Sequence, residues 1–143
     1  MIIGYTTGVF DMFHVGHLRI LEQAKAQCDH LIVGVSTDEL VQSYKNKSPV
    51  ISEHDRMKII SSIRYVDKVV PQTSREKMRA YNTYKFDIMF VGDDWKGNAL
   101  FQQTERELNA LGAKIIYFPY TKHVSSTKLH QVLEDIQNLG RDF

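Results

Sequence analysis

Cysteine is almost missing from this chain. Cys28 is the only one, so an internal disulfide or a multi-cysteine metal site is excluded. A single thiol fits a reducing compartment, and a cytoplasmic setting is expected. Proline occurs three times, at Pro49, Pro71 and Pro119, each where an element is expected to break. No apolar run approaches the roughly 20 residues that span a bilayer, so membrane insertion is not expected. The start, Met-Ile-Ile-Gly-Tyr, lacks the basic stretch and long apolar stretch of a signal peptide. A charge excess is lacking too: 18 Lys and Arg face 17 Asp and Glu, for a net charge of +1. That balance argues against a nucleic-acid coat or a polybasic membrane anchor. It leaves room for a local basic pocket. There is no low-complexity tract, no fixed-period repeat and no G-x-x-x-x-G-K-[ST] phosphate loop.

What is present is an alternation. The 143 residues, 43% hydrophobic, suit one domain (1–143) with a sizeable core. Ile2 to Thr6 reads as a strand. Val15 or Gly16 to Gln27 has helical apolar spacing at Leu18, Leu21 and Ala24. Leu31 to Val35 is a short continuous apolar run rich in β-branched residues, suited to a strand covered on both faces. Ser52 caps an expected helix to Ile63, followed by a brief strand from Lys68 to Val70 that Pro71 stops. Ser74 to Tyr84 is expected to be helical, Ile88 to Val91 a strand and Leu100 to Leu111 a helix closed by Gly112. Lys114 to Phe118 is a fifth strand, and Ser126 to Leu139 a final helix. The order predicts an α/β fold: a single Rossmann-like, doubly wound sheet of about five parallel strands, with helices on both faces. Ligands of such sheets bind beyond the carboxyl ends of the strands.

The distinctive residues lie there. Thr7-Gly8-Val9-Phe10-Asp11-Met12-Phe13-His14-Val15-Gly16-His17 follows the first strand and opens the first helix. The glycines permit close approach of a ligand, and a helix N-terminus favours phosphate. His14 and His17 lie on one side of a helical turn and can donate hydrogen bonds to phosphate oxygens. The plainer reading makes His14 a cap and His17 a solvated helix residue. No third and fourth ligand stands near enough for a zinc site, and no metal ligand is assigned. Lys45-Asn46-Lys47 is expected as an extended loop with both lysines on one side, able to hold an anion or simply solvated. Arg64 is placed to pair with Asp67 or with a carboxylate of a second subunit. In Gly92-Asp93-Asp94-Trp95, Asp94 can accept from a base or ribose and Trp95 can stack on a ring, or the two can serve as cap and plug. Ser125, Ser126 and Thr127 cluster at another expected helix start, either a second phosphate cradle or a plain cap.

The segment F-D-x-x-H-x-G-H is similar to the signature of the nucleotidyltransferase superfamily. Over Ile2 to Leu133 the chain resembles its small cytidylyltransferases, the glycerol-phosphate type in particular. Ser36-Thr37-Asp38-Glu39, Arg64-Tyr65-Val66-Asp67, Gly92-Asp93-Asp94-Trp95 and Val124-Ser125-Ser126-Thr127-Lys128 carry the rest of the likeness. Tyr120 and His123 depart from it, standing where such relatives often have Arg and Gly.

The resemblance implies transfer of CMP from CTP, with Mg²⁺, to sn-glycerol 3-phosphate, giving CDP-glycerol and pyrophosphate, in a homodimer. Transfer to phosphocholine, phosphoethanolamine, a sugar phosphate or a flavin phosphate is the neighbouring alternative, with ATP as a further donor. A CTP-sensing module without turnover is the non-enzyme alternative. The resemblance also implies roles. His14, His17 and Lys47 serve catalysis. Gly8, Val9, Phe10, Asp11, Val15, Gly16, Asp94, Trp95, Tyr120, Thr121, Val124, Ser125, Ser126 and Thr127 join them in binding the nucleotide. Lys45 and Lys77 hold the acceptor, and Arg64 and Asp67 give structural support.

Overall fold

The structure, a computed structural model, describes residues 1–92, 97–119, 129 and 131–136. In chain order these form β1 (Ile3–Gly8), α1 (Val15–Lys25), β2 (His30–Ser36), α2 (Asp38–Lys45), α3 (Glu53–Ser61), β3 (Lys68–Gln72), α4 (Lys77–Tyr84), β4 (Ile88–Gly92), α5 (Ala99–Ala110) and β5 (Lys114–Phe118). Residues 129 and 131–136 are helical, within the final helix read from the sequence. The five strands are all parallel, in the order β3-β2-β1-β4-β5. The order reverses between β1 and β4, so their carboxyl ends frame the crevice in which such sheets bind ligands.

Strand alternation divides the core into two layers. Leu31, Val33 and Val35 of β2 face Leu21, Ala24 and Ile60, from α1 and α3. Ile32 packs with the other layer, among Tyr5, Phe86, Met89 and Leu108. Burial on both faces explains the continuous apolar run in β2. Gly34 is required on that second face, because a Cβ there would stand 2.7 Å from the Tyr5 hydroxyl.

Two sequence expectations need correction. The strand after α3 does not stop at Pro71: Pro71 pairs with Val35 and Gln72 with Ser36. β3 is an edge strand, so a residue without an N–H can face outward there. The second concerns Lys45-Asn46-Lys47, which is not an extended loop. Lys45 ends helix α2, and Asn46 is its left-handed C-cap at φ 56°. Thr37 starts this helix by accepting from Leu40 N–H at 3.1 Å, with Asp38 and Glu39 in the first turn, where acidic residues suit the helix dipole.

The crossovers are tied together by Arg56, whose side chain is fully buried. Its Nε donates to the Ile51 carbonyl at 2.9 Å. One terminal nitrogen donates to the carbonyls of Val9 and Ser36, each at 2.7 Å, and the other to Asp38 Oδ1 at 2.6 Å. The α2 and α3 starts also cap each other: Asp38 N–H donates to Glu53, and Glu53 N–H to Asp38. Arg56→Ala would strand several buried carbonyls and is expected to cost about 3 kcal/mol of unfolding free energy in urea titrations, whereas a loss below about 1 kcal/mol would contradict the role.

Candidate functional site

β1 delivers Gly8 to the sheet edge, and the chain then turns through two left-handed non-glycine residues, Phe10 at φ 54° and Met12 at φ 49°. Each costs roughly 1 kcal/mol or more and persists only where the surroundings over-determine it. The surroundings do so here. The Phe10 ring is buried in the core, and a Cβ on Gly8 would stand 3.0 Å from it. Asp11 is buried, and its two carboxylate oxygens accept from Val50 N–H at 2.8 Å and Ile51 N–H at 2.9 Å. Arg56 holds the Val9 carbonyl from the other side. The loop is therefore clamped to the segment that contains Lys47.

The loop ends in His14, the N-cap of α1. His14 Nδ1 accepts from Gly16 N–H at 3.0 Å. In return, His17 Nδ1 accepts from His14 N–H at 3.3 Å. This is a capping box built from two imidazoles, where Ser or Thr with Glu or Gln is usual. The rings stack with centroids 3.9 Å apart, and the Phe10 edge closes on His17 at 5.4 Å. A nitrogen that accepts cannot carry a proton, so each neutral ring keeps its hydrogen on Nε2. His14 Nε2 is buried and has no hydrogen-bond partner among the described residues. Such a donor lacks about 1–3 kcal/mol of compensation, which a ligand oxygen would restore.

Burial pushes His14 below the ordinary histidine value. Burial also pushes His17 down to about 4, helped by His14 and opposed by Asp11. At neutral pH the pair is thus a pair of neutral donors. Not every N–H at this helix start is left for a ligand, since Gly16 N–H serves His14. Gly16 is buried while Val15 is exposed.

Lys77, first residue of α4, is half-buried and reaches Thr7 Oγ1 at the end of β1, at 3.3 Å. Burial, with Arg75 adding repulsion, pushes its pKa down to about 8. Lys45 and Lys47 are both exposed, one on α2 and one past the left-handed Asn46.

Arg64 and Asp67 do not pair. Arg64 donates to the Tyr65 hydroxyl at 2.8 Å. Asp67 binds Lys25 Nζ at 2.5 Å and accepts from Leu31 N–H at 2.8 Å. Asp67 directly precedes β3, so it ties strand starts together at the edge opposite the loop. Asp94, Trp95, Tyr120, Thr121, Val124, Ser125, Ser126 and Thr127 lie outside the described residues.

The sequence reading missed Arg56 and its partner Asp38. A signal was available. Arg56 falls in line with Ile60 and Ile63, at i, i+4 and i+7, so a charge sits on the apolar stripe of the helix expected from Ser52 to Ile63. Arginine in that position is buried only when paired.

A sequence profile described as "Cytidylyltransferase-like" matches residues 5–132. The glycerol-3-phosphate cytidylyltransferase of Bacillus spizizenii is 38% identical over 135 residues, 94% of this chain and 96% of that protein. The FAD synthase of Thermococcus kodakarensis is 32% identical over 90% of this chain and 87% of its own. Among solved structures, the lipopolysaccharide core biosynthesis protein of Thermoplasma volcanium superposes with a TM-score of 0.71 at 30% identity, over 85% of this chain and 98% of that one.

The His17 shift has a sign. The ordinary value is 6.5 and the folded value about 4, so the unfolded chain binds more protons between them. This group's stabilisation is complete above 6.5 and is lost as pH falls towards 4. His17→Gln, which keeps an acceptor for His14 N–H, is expected to flatten the fall of the urea midpoint across that window. Identical slopes for both proteins would contradict the assignment.

Proposed function

The chain belongs to the cytidylyltransferase-like family, and from that premise we propose that it transfers CMP from CTP to sn-glycerol 3-phosphate, releasing pyrophosphate. The observation that carries the reading is the pair of Nε2 donors fixed by the capping box at the start of α1. An acceptor phosphate oxygen is already anionic and needs no strong base. It attacks the α-phosphorus in line, the new P–O bond forming as the bond to pyrophosphate breaks. Catalysis is then alignment and charge stabilisation. His14 and His17 donate to phosphate oxygens whose charge grows in the transition state. The clamped loop from Gly8 to Asp11, with Val15 and Gly16, cradles the triphosphate. Lys47 neutralises nucleotide phosphates, while Lys45 and Lys77 draw in the acceptor. The proposal keeps Asp94, Trp95, Tyr120, Thr121, Val124, Ser125, Ser126 and Thr127 as nucleotide contacts.

Mg²⁺ belongs to the proposal as a companion of CTP. Among the described residues no three His, Cys, Asp or Glu side chains gather into a metal cage, and the Asp11 carboxylate already accepts two backbone N–H groups. Mg²⁺ favours phosphate oxygens and water, so the described residues fit a metal carried by the triphosphate rather than one held by the protein. Bound there, it would offset triphosphate charge.

A homodimer and a cytoplasmic setting complete the reading. Exposed Val15 and Val50 beside the loop are apolar residues that a second copy would cover. Among the described residues no helix is long and apolar enough to cross a membrane. The second reading, nucleotidyl transfer to another phosphomonoester, is favoured by the likeness to an FAD synthase.

A panel of nucleoside triphosphates crossed with phosphorylated acceptors decides between them by pyrophosphate release and product mass. CTP with glycerol 3-phosphate is expected to be fastest. Faster transfer from ATP to a flavin phosphate would install the second reading, and CTP binding without any product would install a sensing module. His14→Asn keeps a capping oxygen and His17→Gln keeps the reciprocal one, yet both delete an Nε2 donor. Each is expected to lower kcat by roughly 100- to 1000-fold with the fold intact. A folded variant of either with near-normal turnover would remove the histidines from catalysis.

A further inference from the structure

The strand order places α2, which follows β2, and the segment after β3 on one side of the β1 terminus. The reversal point lies on the other side, between β1 and β4. The β2–β3 half is therefore the place for the second substrate. Two cations on one short segment stand in it. Lys77 reaches Thr7 Oγ1 at 3.3 Å, and Arg75, two residues earlier, lies with its guanidinium carbon 4.4 Å from the Tyr44 ring centroid. Neither has an ion pair among the described residues. Glu76, the carboxylate between them, turns to Arg79 at 3.8 Å instead.

We infer that Arg75, laid against Tyr44, is a specificity-determining residue that completes with Lys77 a two-cation site for the dianionic phosphate of the acceptor. The inference rests on the transfer reaction proposed above. A guanidinium held over a ring by cation–π attraction keeps N–H groups for a ligand, and its fork can bind two phosphate oxygens at once. The third oxygen is then left for attack. Two like charges held close, one of them half-buried, repel in the empty site, and a phosphate dianion relieves that repulsion. The repulsion between them is felt at Lys77, whose pKa burial lowers first and Arg75 lowers further. A hydroxyl or amine acceptor would relieve nothing, so phosphomonoesters are selected.

Arg75 is exposed, so its variants test chemistry rather than folding. Arg75→Ala is expected to raise the KM for glycerol 3-phosphate about tenfold or more, the scale of a charged hydrogen bond, with the KM for CTP unchanged. Arg75→Lys keeps charge but not the fork and is expected to recover only part. Tyr44→Ala moves the same KM in the same direction, and Tyr44→Phe, which retains the ring, restores it. In wild type the acceptor KM climbs as Lys77 deprotonates above a pH of about 8. Arg75→Ala moves that climb to higher pH, because a repelling charge is gone. An Arg75→Ala protein that transfers CMP with the wild-type acceptor KM overturns the inference and leaves the reaction standing. So does a parallel rise in both KM values. A wild type that transfers CMP to no phosphomonoester overturns the reaction, and calorimetric titration with inorganic phosphate then judges the site alone. Tighter binding by wild type than by Arg75→Ala supports it; equal binding, or none by either protein, overturns it.

Discussion

Two hydrogen bonds within one turn of α1 set what this protein can offer a ligand. His14 takes Gly16 N–H, and His17 takes His14 N–H. Each bond occupies an Nδ1, and each therefore leaves a hydrogen on Nε2. A helix cap and a ligand donor are often rival accounts of a histidine near a helix start. Here they are one account, because the capping bond selects the tautomer that donates. Ring stacking at 3.9 Å and burial then hold the pair neutral. A neutral pair can sit face to face in the empty site, where two imidazolium rings would repel each other.

The cap works only if the loop before it is held still. Left-handed Phe10 and Met12 make that loop costly in isolation. Asp11 and Arg56 compensate from opposite directions, Asp11 by binding two N–H groups of the Val50 segment and Arg56 by binding the Val9 carbonyl. Arg56 also reaches Ser36 and Asp38, so the ends of β1 and β2 and the starts of α2 and α3 share one buried cation. Site and scaffold cannot be separated at this point. A change at Arg56 reaches the loop before His14 through the Val9 carbonyl.

Much of this was legible in the residues, for reasons that can be named. Buried parallel strands are continuous apolar runs, so β2 and β4 could be read directly, and the glycines and histidines after β1 marked the candidate site. Pro71 misled, because it ends central strands but not an edge strand, and edge position is a property of the whole sheet. Helix α2 was missed although Thr37-Asp38-Glu39 is a fair helix start, since Lys45-Asn46-Lys47 drew attention as a charged loop. Asn46 ends that helix in a left-handed turn that separates the two lysines. Arg64 and Asp67 stand three residues apart, yet Asp67 is taken by Lys25, a partner 42 residues away. Long-range partners of this kind, like the four carbonyl and carboxylate contacts of Arg56, leave only a faint trace in sequence: a charge in line with Ile60 and Ile63.

What this site can donate depends on the tautomer of two rings. Long-range proton–nitrogen correlation spectra of the nitrogen-15-labelled protein at neutral pH report it directly. The expected result is a protonated Nε2 and an unprotonated Nδ1 in both His14 and His17. A proton on Nδ1 in either ring, or an imidazolium, would break the capping box and contradict the account.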